Sequence, residues 1–140
     1  MQRQSIVTRV ASGSNLIWVA TYLPLRRWGN LPAFLKASSQ VSGQLKKSPG
    51  AVRYGVKSDL LSKKFWTASA WASRAAMHVF VQTEPHLSAM ARFEDWAGEG
   101  AAFVEWEAPD GPIDWKEISN RIPNPSFSTG RARTDMRYPK

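Results

Sequence analysis

Two neighbouring stretches, "AVRYGVKSD" (51–59) and "KFWTASAWAS" (64–73), decide the fold predicted for this chain. Both are short and rich in β-branched and aromatic residues, and the first alternates apolar with polar side chains, which is typical of β-strands. Because only the four residues "LLSK" (60–63) separate them, the two strands are predicted to form one β-hairpin. The segments on either side of this hairpin then determine the architecture.

Each side of the hairpin is predicted to carry one strand and one helical region. The predicted elements are a strand at 14–23, a helix at 30–50, the hairpin, a helix at 73–83 that Pro85 separates from a second piece ending near Trp96, a strand at 101–108 and a short helix at 114–122. The order β-α-β-β-α-β predicts a ferredoxin-like α+β fold with one antiparallel sheet. The chain is accordingly divided into a flexible N-terminal segment (1–13), the ferredoxin-like domain (14–122) and an irregular basic tail (123–140).

The helix ends carry their own signals. Asn30 is predicted to cap the first helix, and Pro32 falls in its first turn, where a missing N–H costs nothing. Thr83 or Glu84 is predicted to cap the helical piece that follows Pro85.

Apolar side chains are predicted on both faces of the sheet. The first strand places Leu16, Trp18, Ala20 and Tyr22 on one face, and the hairpin places Val52, Tyr54 and Val56 on one face of its first strand. Helices cover only one face of such a sheet. The other face therefore needs a cover, and a second copy of the chain is the simplest one, which predicts a homodimer that closes into a barrel-like core.

Charge is unevenly distributed along the chain. The net charge is +8, yet residues 1–65 carry +10, residues 66–120 carry −6 and residues 121–140 carry +4. The chain has no cysteine, no apolar run long enough to span a membrane and no recognisable signal peptide, so a cytoplasmic location is expected.

An RNA-recognition module would share this fold and a basic charge, so RNA binding is kept as a third hypothesis. Such modules need a basic residue, a glycine and spaced aromatic residues on a central strand. The stretch "EGAAFVEW" (99–106) begins with Glu99 and has Ala101 where an aromatic residue is needed, and "KFWTASAW" (64–71) has no glycine.

The segment "FWTASAWASRAAMHVFVQTEPHLSAMARFEDW" (65–96) resembles bacterial proteins related to spheroidene monooxygenase and to the antibiotic biosynthesis monooxygenases. The matching residues are Phe65, Trp66, Thr67, Trp71, Phe80, His86 and Met90. The first helix and its exit (31–56), the segment "DWKEISNRI" (114–122) and the tail ending "RYP" (137–139) are similar too. The resemblance implies a dimeric α+β barrel, in a superfamily that contains cofactor-independent and haem-dependent oxygenases.

Two histidines are candidates for chemistry. His86 follows Pro85 and lines up with Met90 and Phe93 along an apolar stripe. It is predicted to act as a general base or, if haem is bound, as the axial iron ligand; the alternative is a histidine near a helix start that only bonds a backbone carbonyl. His78 points away from that stripe and is expected to be solvated, and without cysteine no zinc site is credible.

A planar ligand would suit the face that Trp71 shares with Thr67 and Ser69, because aromatic and hydroxyl groups alternate there. Trp71 is therefore a candidate catalytic residue, and Thr67 and Ser69 are candidate cofactor-binding residues; core packing is the alternative for the tryptophan. Arg53 is a further candidate for binding a carboxylate such as a haem propionate, or else a surface arginine.

These features lead to two main hypotheses. The first is a monooxygenase-like protein that oxidises a hydrophobic small molecule, polyaromatic or isoprenoid, with haem as the cofactor if there is one. The second is a protein of the same fold that binds a small molecule or haem without catalysis.

Overall fold

The computed structural model describes residues 2–6, 15–122 and 127–128, with side chains between 15 and 122. The strands and helices are β1 (Gln2–Ile6), β2 (Asn15–Pro24), α1 (Leu31–Lys46), β3 (Ala51–Asp59), β4 (Lys64–Trp71), α2 (Arg74–Val81), α3 (His86–Trp96), β5 (Ala102–Pro109), α4 (Trp115–Arg121) and β6 (Phe127–Ser128). A short 3-10 helix (Trp28–Asn30) leads into α1.

The strands form one antiparallel sheet in the order β1-β3-β4-β2-β5-β6. Its four central strands, with α1 crossing before the hairpin and α2 and α3 after it, have the β-α-β-β-α-β order, so the predicted ferredoxin-like α+β fold is confirmed. Strands β1 and β6 add one strand to each edge of this four-stranded sheet, and both lie outside the range 14–122 in the sequence. The division of the chain into three parts stays a prediction, and most of its first and last segments lies outside the described residues.

One predicted helix cap is wrong. The Asn30 side chain makes no capping bond, and its Nδ2 donates instead to the Asp95 carbonyl at 3.5 Å. The reason is that the 3-10 helix runs directly into α1, so Asn30 already has helical backbone angles and its side chain cannot reach the next turn. Pro32 does lie in the first turn, as predicted.

The helical region after the hairpin is divided at Pro85, as its sequence indicates. Ser73 caps α2 by accepting a bond from the Ala76 N–H at 3.1 Å. Pro85 occupies the N-cap position of α3, so neither Thr83 nor Glu84 is the cap residue as predicted, although Glu84 Oε1 accepts from the Ser88 N–H in the first turn. This region therefore covers the sheet as two short helices and not as one continuous helix.

The two faces of the sheet are covered differently. The helix face carries α1, α2 and α3. The outer face carries Leu16, Trp18, Ala20 and Tyr22 of β2, as predicted, and α4 packs on one end of it through Trp115 and Ile118. The register places Trp66 on the outer face and Trp71 on the helix face, which confirms that these two tryptophans lie on opposite sides of β4.

Val52 does not share a face with Tyr54, contrary to the alternation in the sequence. A β-bulge between Ala51 and Arg53 places one extra residue in β3, so that Val52 packs in the outer-face core beside Trp18. Tyr54 packs on the helix face. A bulge shifts the side-chain alternation by one residue, which a simple count of every second residue cannot anticipate.

The helix face holds two separate clusters of buried side chains. The first lies towards the hairpin turn, under α1 and α3, and its buried members are Leu23, Leu25, Phe65, Phe93, Trp96, Ala97, Ala101 and Phe103. The second lies at the other end of the strands, under α1 and α2, and its buried members are Val19, Leu45, Ala51, Tyr54, Trp71, Met77, Phe80 and Val81. The rows of the sheet between these clusters position the candidate site.

Candidate functional site

One row of the sheet lies between the two helix-face clusters. Val56 of β3 pairs with Thr67 of β4, which pairs with Thr21 of β2. Thr67 is exposed although it faces the helices on a central strand, and Thr21 and Val56 beside it are only partly buried. We call this opening, with Val56, Thr67 and Thr21 as its floor and Ser69 at its edge, the central slot.

The central slot offers hydroxyl groups between aromatic walls. Phe65 precedes Thr67 in the hairpin-side cluster, and Trp71 follows Ser69 in the other. On α1, Ser38 lies one turn after Phe34 and thus on the helix stripe that packs over the sheet. A planar apolar molecule with a few oxygen atoms fits these surroundings, because its body meets rings and its oxygen atoms meet hydroxyl groups.

Ser69 is oriented by Trp71. The indole N–H of Trp71 donates to Ser69 Oγ at 2.9 Å, and Trp71 is only 1% exposed. Since Oγ accepts this bond, the hydroxyl proton of Ser69 is not used in it and can be donated to a ligand. The sequence-predicted residues Trp71, Thr67 and Ser69 are thus brought together, with Trp71 as the buried support of the hydroxyl group rather than an exposed group of the slot.

A line of ring contacts leads from Trp71 to His86. The ring centroids of Trp71 and Phe80 are 5.0 Å apart, and those of Phe80 and His86 are 4.8 Å apart. His86 therefore lies behind the second cluster and meets Trp71 through Phe80. Its proposed roles as general base and iron ligand stay predictions.

The imidazole of His86 is held in one tautomer. Its Nδ1 lies 3.1 Å from the Val81 carbonyl, so Nδ1 carries the proton and donates it. Burial lowers the pKa of His86, and the bond to Val81 opposes this only in part. His86 is accordingly neutral at pH 7, with Nε2 as its acceptor atom.

Gln44 of α1 fixes the position of His86. Its Nε2 donates to the carbonyls of Phe80 at 3.0 Å and Thr83 at 3.1 Å, while its Oε1 accepts from the His86 N–H at 2.8 Å. One amide side chain thus satisfies three backbone groups at the junction between α2 and α3. The residues around His86 are held to α1 as one unit.

Arg53 is not brought together with the other predicted residues. It pairs with Ala70 of β4 and lies on the outer face, where its Nε donates to Asp110 Oδ1 at 3.0 Å. Its carboxylate partner is therefore Asp110 of this chain. Binding of a ligand carboxylate by Arg53 stays a prediction, and such a ligand would have to lie on the opposite side of the sheet from the central slot.

Two residues of this region were not singled out from the sequence. Thr21 completes the floor of the slot. Its place could have been predicted, because strand alternation puts Thr21 on the other face of the sheet from Tyr22. Glu105 of β5 lies on the helix face and forms an ion pair with Arg74 in the first turn of α2. The first turn of α2 has no acidic residue of its own, and Glu105 supplies the negative charge there. The two residues are distant in sequence, so no local pattern could have predicted this ion pair.

A second opening lies on the outside of the helix layer. It is an open groove of about 350 Å³ between α1 and α3, lined by Ala37, Gln40, Glu84, Pro85, Ser88, Ala89, Arg92 and Trp96. None of the residues predicted for the site lines it. We place the candidate site in the central slot because the slot joins hydroxyl groups to buried aromatic walls, whereas the groove is bounded mainly by helix surfaces.

Within the described residues, no helix is both long and apolar enough to cross a membrane. The same residues contain no group of three or more histidine, cysteine or acidic side chains that could hold a metal ion.

Solved structures share this fold at low sequence identity. A candidate antibiotic biosynthesis monooxygenase from Nitrosomonas europaea is 18% identical, with a TM-score of 0.59 over 72% of this chain and 95% of that one. SnoaB from Streptomyces nogalater, a cofactor-independent oxygenase, is 10% identical, with a TM-score of 0.55 over 73% of this chain and 100% of the other. A further antibiotic biosynthesis monooxygenase is 14% identical, with a TM-score of 0.58 over 69% and 99%.

No family model matches the sequence, and no curated protein does. The chain nevertheless shares its fold with solved structures described as antibiotic biosynthesis monooxygenases. The sequence resemblance to this group is confirmed at the level of the fold. The narrower likeness to spheroidene monooxygenase stays a prediction.

Proposed function

We propose that this chain is a monooxygenase-like protein that oxidises a hydrophobic, planar small molecule in the central slot. The observation that supports this most directly is the exposure of Thr67 on the helix face, in the row Val56–Thr67–Thr21 between two packed clusters. The oxygenases among the structural neighbours add support at the level of the fold.

The chemistry of the slot favours a substrate that is itself the electron donor. An electron-rich phenol or enol can reduce O2 directly, so that one oxygen atom enters the product as a carbonyl group and the other leaves as water. The hydroxyl groups of Thr67 and Ser69 would hold the substrate oxygen, and the aromatic walls would keep water away from the reacting carbon. Neutral His86 is the proposed base, and it would act through movement of Phe80 or through an intervening water molecule.

Oxygen uptake with a panel of planar phenols tests this function. We expect protein-dependent O2 consumption, and about a threefold to tenfold loss of kcat/KM in Thr67→Val and Ser69→Ala, since each removes one hydrogen bond of about 1 kcal/mol. Ser119→Ala is the control, because this hydroxyl group lies on α4 and bonds the Trp115 carbonyl, away from the slot. Equal loss in the control variant would remove the slot from the proposal.

Non-catalytic binding is the alternative, and it uses the same slot. Saturable binding of a phenol that is weakened by Thr67→Val, with no O2 uptake at any concentration of protein, would establish this alternative. Because both hypotheses place the ligand in the slot, the substitutions test the site and O2 uptake tests the reaction.

Haem remains the candidate cofactor for a haem-assisted version of this function. The tautomer of His86 fits an iron ligand, because Nδ1–H is held by Val81 and the lone pair of Nε2 is left for a metal. If haem were bound, His86 would hold it, and haem would supply activation of O2. Haem titration of the wild type and His86→Ala decides the point: a Soret band at one equivalent that weakens sharply in the variant supports ligation, and equal spectra contradict it.

A homodimer formed through the outer face is part of the same proposal. Tyr22, Trp66 and Trp106 remain only partly buried there, although Tyr22 and Trp66 stack at 5.4 Å. A second sheet would bury these rings, as the sequence pattern predicts. An RNA-binding protein would instead expose them to bases, so retention on RNA that falls steeply with salt, together with a stable monomer in light scattering, would favour the RNA hypothesis. The cytoplasmic location predicted from the sequence also remains a proposal.

A further inference from the structure

The turn of the β3–β4 hairpin exposes an unusual group of apolar side chains. Leu61 is 93% exposed and Leu60 is 51% exposed, in the turn between Asp59 and Lys64. Trp28, in the 3-10 helix before α1, is 52% exposed. We call these three side chains the apolar tip. Single exposed apolar residues are common on protein surfaces, but a convex group of three large ones is not.

Lys63 connects the hairpin turn with Trp28. The Lys63 ammonium lies 5.6 Å from the centre of the Trp28 ring, and the Lys63 carbonyl accepts from the Leu25 N–H at 2.7 Å. The hairpin turn is therefore fixed beside the end of β2 and the segment that carries Trp28. Lys63 has a φ of 58°, and its N–H donates to the Leu60 carbonyl at 3.2 Å, so the turn has a defined shape that presents both leucines outward.

Three cations adjoin the apolar tip. Arg27 precedes Trp28 and Lys64 follows the turn, both are exposed, and Lys63 lies over Trp28. Asp59 is the one acidic residue of the turn, and a hydrogen bond from the Ser62 side chain lowers its pKa, so it subtracts one charge. Arg26 points elsewhere, because it donates to the carbonyls of Ala97 and Glu94. The tip thus combines two leucines and a tryptophan with a net positive rim.

We propose that the apolar tip inserts into the surface of an anionic lipid bilayer. Leucine side chains enter the acyl region, tryptophan prefers the interface, and lysine and arginine reach anionic headgroups, so every residue type of the tip has a place there. A protein partner fits less well, because three side chains on a turn cover only a few hundred Å², well below the ~1,000 Å² of a stable protein interface. This inference does not rest on the proposed enzymatic function.

Flotation of the full chain with lipid vesicles tests the inference. We expect the wild type to float with phosphatidylcholine vesicles that contain about one-third phosphatidylglycerol at ~50 mM salt, and to float poorly with pure phosphatidylcholine or at ~500 mM salt. Leu60→Ser with Leu61→Ser should lower the partition coefficient by about tenfold or more, because both apolar anchors are removed. Lys63→Gln with Lys64→Gln should lower it several-fold on anionic vesicles only.

Val79→Ser with Leu87→Ser is the matched control. Val79 is 64% exposed and Leu87 is 47% exposed, but both lie on helices of the α2–α3 region, away from the basic rim. This pair should stay within about twofold of the wild type. Far-ultraviolet circular dichroism verifies that every variant is folded. Equal loss of flotation in the two pairs, or no flotation of the wild type at low salt, overturns the proposal.

The absence of cysteine from the chain allows a direct measurement of insertion. A single thiol introduced as Leu61→Cys and labelled with an environment-sensitive dye should show a blue-shifted emission on anionic vesicles, while a label at Val79→Cys should not. A shift at position 61 that grows with protein concentration in the absence of lipid would assign the tip to a protein contact and overturn the lipid proposal. Flotation without any shift at position 61 would overturn it as well, since another surface would then be bound.

Discussion

The two faces of the sheet contain the same kinds of residues and use them differently. On β4, Trp71 faces the helices, is almost fully buried and bonds Ser69 through its indole N–H. Trp66, five residues earlier, faces outward, stacks on Tyr22 and has the Lys57 ammonium 5.0 Å from its ring centre. This difference shows that the role of an aromatic residue on a strand depends on what covers that face of the sheet. The number of aromatic residues in a strand therefore does not tell whether the face that carries them forms a core, an interface or a binding site.

The largest expected contrast is between alanine substitutions at these two tryptophans. Trp71→Ala should lower the free energy of unfolding by about 3–5 kcal/mol, because it leaves a cavity in a packed cluster. Trp66→Ala should cost about 1 kcal/mol within one chain, since its ring is only partly covered. Urea unfolding at one fixed protein concentration measures both. Similar losses would show that the outer face is packed as tightly as the helix face, which means that the partner chain is an integral part of the core.

A glycine on the helix face tests how closely α2 approaches the sheet. Gly50 has a φ of +84°, and a Cβ placed there would lie 2.5 Å from the Ala76 Cβ. Gly50→Ala should therefore destabilise the protein by about 2 kcal/mol, from backbone strain and from the forced shift of α2. Gly43→Ala is the opposite case, because Gly43 lies inside α1 with open space around it and should stabilise by ~0.5–1 kcal/mol. Thermal unfolding that moves both variants in one direction would contradict this account.

The proposed dimer makes a prediction for the outer face. Trp66→Glu places a charge where a second sheet should pack, so the dissociation constant of the dimer should rise at least about tenfold, which corresponds to ~1.4 kcal/mol. Sedimentation equilibrium measures the change. Thr83→Val, on the opposite side of the molecule, should leave the dissociation constant unaltered. A wild type that is monomeric at all concentrations would remove the dimer from the proposal.

The smallest effect concerns His86, behind the helix face. Burial lowers the pKa of His86 in the folded chain, whereas the unfolded chain takes up a proton near pH 6.5. The free energy of unfolding should therefore fall as the pH drops from about 6.5 towards the folded-state pKa, with a slope below ~1.4 kcal/mol per pH unit. His86→Asn should flatten this part of the profile. Identical profiles for the wild type and His86→Asn would show that this burial does not persist in solution.

Much of the fold could be predicted because its signals are local. Alternation located the strands β2 to β5, and Pro85 located the junction between α2 and α3. The errors have a common origin in neighbours that are distant in sequence or irregular in backbone. The bulge beside Arg53 reversed the face of Val52, and the 3-10 helix before α1 gives Asn30 helical backbone angles, so that its side chain makes no capping bond.

The candidate site was only partly predictable for the same reason. The shared face of Thr67, Ser69 and Trp71 follows from strand periodicity and was confirmed by the register. That Thr67 is exposed could not be foreseen, because this depends on how α1, α2 and α3 divide the face into two clusters. The hydrogen bonds of Gln44 to the α2–α3 junction, 36 to 42 residues away in sequence, were also invisible to any local pattern.

The edge strands β1 and β6 have a practical consequence. Gln2–Ile6 pairs along β3, and Phe127–Ser128 pairs with the start of β5, so both borders of the four-stranded core have their backbone groups engaged over these lengths. A shortened protein that spans residues 15–122 alone would uncover both borders and offer them to other chains as templates for strand addition. Such a protein would associate edge to edge, and in a light-scattering experiment this artefact would have the same mass as a dimer formed through the outer face. Measurements of the oligomeric state should therefore use the chain with both of its ends.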